Sequence, residues 1–185
     1  ASEDEGPDVT SSGKVSDTYF SSVCAGGGNT LVTCDYDTVL DAVRKLGLTE
    51  DNNNLYRTVV ILLVNTDEQS GSCWYIKGGW TDASDVGDGL KSMAIAMIAA
   101  NTTGTNGLVR HEAGGHGFGR LADEYNWGGE ADDARKSSLL EQQEKYGFYL
   151  NVTADTDGDS PWAHFIGLEG YDEVGYFEGA WGCSK

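Results

Sequence analysis

Proline is nearly missing from this chain, with two residues in 185, while glycine is abundant at 26. That balance points to many irregular loops and away from a low-complexity tail. Basic residues are also scarce: 12 Lys and Arg face 30 Asp and Glu, for a formal net charge of −18. Such a surface repels phosphate backbones and anionic lipid, so nucleic acid is excluded as a partner on charge grounds. Long apolar runs are absent too. Val59–Val64 and Met93–Ala100 are the longest, and both fall far short of a bilayer span. No apolar leader opens the chain; its first residues, ASEDEGPD, read as a mature or trimmed terminus.

The four cysteines, Cys24, Cys34, Cys73 and Cys183, include no C-x-x-C pair. A cysteine-built zinc site is therefore not expected. Cys24 with Cys34 would close a short Gly-rich loop, and Cys73 with Cys183 would tie the chain end to the core. Disulfides imply an oxidising compartment, and a secreted protein is expected on that basis. Histidine is scarcest of the reactive residues, at three. No Ser-His-Asp or Cys-His arrangement can be assembled without using the two that lie close together.

At 185 residues the chain suits one domain with a sizeable core. Residues 1–15 are polar and charged and are expected to be disordered, leaving 16–185 as the folded domain. Asp37 is expected to cap a helix over Thr38–Leu46, ended by Gly47. Thr58–Val64 reads as a buried central strand, Ser72–Lys77 as an edge strand, and Ser92–Ala100 leans to strand over helix. A helix from about Thr105 carries Leu108–His116, and a later one covers Ala131–Lys145. The layout predicts an α/β or α+β domain.

The informative stretch is Leu108–Tyr125, LVRHEAGGHGFGRLADEY. Neutral imidazoles and carboxylates are natural zinc ligands. Two histidines on one helix face, with a glutamate beside the first, suit a metal-assisted hydrolase. The glutamate takes a proton from the attacking water while the metal polarises a carbonyl. The familiar spacing is H-E-x-x-H; here His111 and His116 are five apart. In an α-helix five residues advance about 500°, leaving the side chains about 140° apart and unable to share an ion. A π-type bulge brings i and i+5 toward one face, and Gly114 and Gly115 tolerate it. A bulge is therefore predicted at Ala113–Gly115. Gly117 and Gly119 then allow the chain to turn back and bring a third ligand into reach. Asp123 is the first choice, with Glu124 and His164 as alternatives. Glu112 is the candidate general base.

These residues resemble the zinc signature of the bacterial immunoglobulin A peptidase family of metallopeptidases. The match covers His111, Glu112, His116, Phe118, Gly119 and Leu121–Tyr125, with weaker likeness at Val59–Asn65, Asn151–Phe165 and Val174–Ala180. The resemblance implies a metzincin-like zincin fold, zinc as cofactor, endopeptidase activity and export. Family members carry a further supporting segment, with a Met, beyond the FEGA element. Met93 and Met97 both precede the motif here, so the chain is read as a fragment or an atypical member. The expected partner is a protein or peptide substrate, and a monomer is expected. The competing class is a non-catalytic adhesion or binding module on the same scaffold.

Several other features carry less. DTDGD at 155–159 resembles a calcium loop but lacks the distal Glu of an EF-hand. Asn101-Thr-Thr and Asn151-Val-Thr fit glycosylation acceptors. Tyr125, Trp127 and Tyr171 suit either a substrate cleft or the core.

Overall fold

The computed structural model describes residues 19–20, 23–24, 32–47, 58–65, 69–76, 93–100, 103–125, 132–154 and 160–177. Residues 1–15, the loop 78–89, Asn101, Trp127, the 155–159 loop and Cys183 lie outside them. The chain divides into two compact units, Ala1–Phe118 and Gly119–Lys185.

The first unit opens with a short antiparallel pair, β1 (Val23–Cys24) and β2 (Val32–Thr33). Helix α1 follows at Tyr36–Lys45. Its N-cap is Asp35, whose Oδ1 accepts from the backbone N–H groups of Asp37 and Thr38, both at 3.1 Å. The expected cap, Asp37, instead sits in the first turn. Both aspartates favour a helix start electrostatically, but only the one preceding the first helical residue can reach forward to the orphan amides. Those bonds hold the Asp35 carboxyl below its ordinary range. Leu46 is the C-cap, and Gly47 follows in the left-handed region at φ 59°, the stop read from the sequence.

Three strands form the described mixed sheet: β3 (Val59–Val64), β4 (Gly71–Ile76) and β5 (Met93–Ala99), in the order β3-β5-β4. β3 runs parallel to β5, in register from Val59 opposite Ala94 to Val64 opposite Ala99. β4 runs antiparallel, from Gly71 opposite Ile98 to Ile76 opposite Met93. The mixed α/β class is thus as expected. The central strand is not. Thr58–Val64 was expected there, yet among the described strands β3 pairs on one side alone, and Ile61 and Leu63 stay 47% and 60% exposed. Branched apolar residues favour a strand without fixing its rank in the sheet.

β5 takes the centre, with all seven residues buried. Its sequence, MAIAMIA, alternates large and small. Met93, Ile95 and Met97 pack with Val39, Leu40, Val43 and Leu62 on the α1 face. Ala96 and Ile98 face the other way and pack with Val59, Ala113 and Val109. A strand covered on both faces has no polar alternation, which is why its sequence also reads as helix.

In the second unit, α3 spans Asp133–Tyr146, after α2 in the first (Thr105–Leu108). Asp132 caps α3 by accepting from the Arg135 N–H at 2.8 Å, and Gly147 closes it at φ 65°. Leu139 from α3 meets Ala122 and Val152 in a small core of this unit's own. A 3₁₀ turn covers Ala163–Phe165.

Candidate metal centre

The motif helix leaves α2 and continues as a π-helix over Val109–Phe118. The widening is broader than the local bulge expected at Ala113–Gly115: all ten residues take π geometry. Its i to i+5 repeat stacks His111 and His116 one turn apart. Their rings lie edge to face at 4.6 Å between centroids, with Nε2 atoms 3.1 Å apart.

Sterics assign the three glycines different tasks. A Cβ at Gly114 would meet nothing within 4 Å, and one at Gly115 would meet only the Arg110 carbonyl, at 3.7 Å. Packing does not demand glycine at either position, so their contribution is backbone freedom within the helix. Gly117 differs. A Cβ there would lie 2.9 Å from Val59 Cγ1 and 3.6 Å from Ala94 Cβ. Gly117, with the small Ala94 and Ala96 of β5, lets the π-helix lie close against the sheet. The Tyr75 hydroxyl on β4 shares its one proton between the carbonyls of His116 and Gly117, which supplies a donor to the helix end.

Glu112 follows His111 but turns the other way. It is buried while His111 is exposed. Its carboxylate lies over Gly71: a Cβ at that position would sit 2.8 Å from Oε1 and 2.9 Å from Cγ. Gly71 therefore makes the space that Glu112 fills. Cys73, two residues along β4, senses the same carboxylate. Burial first, and then the Glu112 charge, push its thiol up to about 12. Burial, with Asp35 adding to it, pushes Cys34 up to about 12 as well. Both are free thiols in the structure. The Cys24 side chain and Cys183, their expected disulfide partners, lie outside the described residues.

Past the helix the chain turns at Arg120, which holds a left-handed φ of 54°. Gly117 and Gly119 were expected to provide this turn, but neither is among the residues with positive φ. A non-glycine residue persists in that region when its surroundings hold it there. Here the Arg120 carbonyl accepts from the Tyr149 N–H at 2.8 Å, and its guanidinium donates to the Tyr146 carbonyl at 3.3 Å and lies 5.0 Å from the Phe148 ring centroid.

Two residues on, Asn151 grips Ala122. The Ala122 N–H donates to Asn151 Oδ1 at 2.8 Å, and Asn151 Nδ2 donates to the Ala122 carbonyl at 2.9 Å. The same Nδ2 donates to Glu124 Oε1 at 3.2 Å. An amide engaged in this way is a structural clamp, which displaces the glycosylation reading at Asn151. Gln143 of α3 in turn holds the clamp's own turn, donating to the carbonyls of Tyr149 and Val152 at 2.9 and 2.6 Å.

His111, His116 and Asp123 each offer one ligand atom, and those atoms lie within 4.8 Å of one another. The two alternative third ligands are not in this group. Glu124 is exposed and turned to Asn151. His164 is exposed on the 3₁₀ turn, its ring 3.9 Å from that of Phe165, which stacks on Tyr171 at 4.7 Å. Tyr125 and Tyr171 are 48% and 45% exposed, so neither is a core residue.

Gly71, Tyr75, Arg120 and Asn151 were missed from sequence as parts of the site. Asn151 was marked only by a glycosylation pattern and by the weaker likeness at Asn151–Phe165, and Tyr75 only by its place in the expected edge strand. Comparisons with family models, curated proteins and solved structures return no match to this chain.

Proposed function

We propose that the chain is a zinc-dependent endopeptidase, with His111, His116 and Asp123 as metal ligands and Glu112 as general base. The observation that carries this reading is the grouping of two imidazoles and a carboxylate beside a buried glutamate. The donor set suits zinc: two imidazole nitrogens and one carboxylate leave a fourth position open, as in hydrolytic sites. Two nitrogens bound at about 2.05 Å around a tetrahedral centre lie roughly 3.3 Å apart, and the Nε2 separation here is 3.1 Å. The likeness of HEAGGHGFGRLADEY to the immunoglobulin A peptidase signature supports a zincin-type fold and the same chemistry. A mixed sheet with the motif helix packed on one face is compatible with that fold.

Zinc bound by these residues supplies a Lewis acid that polarises the scissile carbonyl and acidifies water. Glu112 accepts the proton of the attacking water and later delivers it to the leaving amine. Its burial against Gly71 restricts the carboxylate to few positions. The π geometry and the Tyr75 bonds hold the histidines in register. β4 holds an edge position among the described strands, so it offers backbone groups to an extended substrate by strand addition.

The test is cleavage of an unfolded protein and of terminally blocked peptides by zinc-loaded protein, with and without chelator. The reading expects internal cleavage of blocked peptides that chelator abolishes. Cleavage restricted to free termini would assign an exopeptidase; zinc bound without cleavage would favour the binding module.

Gly71→Ala provides an independent check on the base. The new methyl group would meet the Glu112 carboxylate and Cγ, so the carboxylate must shift. Misplacing a reacting group by about 1 Å costs on the order of 10²-fold in rate. Turnover is expected to fall by about that factor, with zinc content unchanged. Undiminished turnover in the folded variant would contradict the placement of the base.

A further inference from the structure

We infer that Asn151 is a positioning residue that presents Asp123, in preference to Glu124, to the metal centre; the inference rests on the zinc reading above. Asp123 and Glu124 are adjacent carboxylates, and composition alone gives no reason for one to ligate. Asn151 supplies the reason. Its side-chain amide bonds both the N–H and the carbonyl of Ala122, fixing the peptide units on either side of that residue, one of which leads directly into Asp123. The same amide engages Glu124 Oε1, drawing that carboxylate to itself. The Ala122 side chain is buried with Leu139 and Val152, which stops the segment from rotating about the clamp. One asparagine thus orients one carboxylate and occupies its neighbour.

The clamp is itself supported. Gln143 bonds the carbonyls on both sides of Leu150 and Asn151, at Tyr149 and Val152. Tyr149 donates to the Arg120 carbonyl, at the turn where the chain leaves the π-helix. Outer partners of this kind orient metal ligands, and their loss typically costs about 10- to 100-fold in metal affinity.

The experiment titrates the metal-free full chain with Zn²⁺ against a chromophoric chelator, for wild type, Asn151→Ala and Asn151→Asp. The visible absorption of the Co²⁺-loaded proteins reads ligand geometry, and circular dichroism of the metal-free proteins checks folding. Asn151→Ala, folded, is expected to bind Zn²⁺ about 10- to 100-fold more weakly, with a cobalt spectrum displaced toward that of Asp123→Ala. A merely structural role would change the melting temperature and leave that spectrum alone. Should Asn151→Ala fail to fold, Asn151→Asp decides. It keeps shape and the acceptor for the Ala122 N–H, but replaces the donor by a second carboxylate facing Glu124, and is expected to show the same losses. Zn²⁺ affinity and cobalt spectrum equal to wild type in a folded variant would overturn the inference and leave the metal centre intact. A wild-type chain that binds no Zn²⁺ would overturn both.

Discussion

Glu112→Gln is expected to lower peptide hydrolysis by about 10²- to 10⁴-fold, the usual contribution of a positioned general base, while zinc stays bound. The substitution is nearly isosteric, so the space over Gly71 remains filled and the π-helix keeps its packing. What is lost is the capacity to take a proton from water. Glu112 is not one of the three grouped metal-ligand residues, so the zinc content of the variant should match wild type. Steady-state cleavage of a blocked peptide and elemental analysis of the same sample measure the two quantities. A variant that retains wild-type turnover would remove Glu112 from the chemistry. If wild type and variant bind a protein equally and cleave nothing, the scaffold serves as a binding module.

The second large effect is expected at His116. His116→Ala removes one of two imidazoles whose Nε2 atoms stand 3.1 Å apart, leaving one histidine and one carboxylate. Because losing an outer partner already costs about 10- to 100-fold in metal affinity, losing a direct ligand should weaken zinc binding beyond that range. Hydrolysis should disappear with the metal. The fold should survive, since Tyr75 bonds the backbone carbonyl of His116 and not its side chain. Zinc titration with circular dichroism checks both statements. A folded His116→Ala protein with unaltered zinc affinity would show that the ion binds elsewhere.

Much of the candidate site was legible in the sequence because the grouped residues His111, His116 and Asp123 are local. His111, Glu112, His116 and Asp123 fall within one short stretch, and the helical repeat alone required a widened turn to join the histidines. The extent of that widening was not legible. Gly114 and Gly115 marked a place where a bulge is tolerated, whereas π geometry through Val109–Phe118 depends on hydrogen bonding along the whole helix. The turn that follows was misplaced for a related reason. Glycine is the usual residue for left-handed backbone, but here Arg120 adopts it, held by Tyr146, Phe148 and Tyr149 from far along the chain.

The same division runs through the fold. The strand at Ser92–Ala100 was readable from its length and position, against an Ala and Met content that suits helix, and the helix ending before Gly47 was readable from its punctuation. The rank of β3 in the sheet was not, since the run VVILLV suits an edge or a centre, and pairing with β5 decides which. Asn151 shows the limit most plainly. Its contacts are to Ala122 and Glu124, which lie 29 and 27 positions away, and no periodicity links such residues.

The most direct test of the central claim is the metal content of the purified full chain after equilibration with zinc and removal of excess ion. The account predicts one zinc per wild-type chain, lost in His116→Ala. A chain that retains no zinc under these conditions would contradict it, because His111, His116 and Asp123 would then share space without sharing a metal.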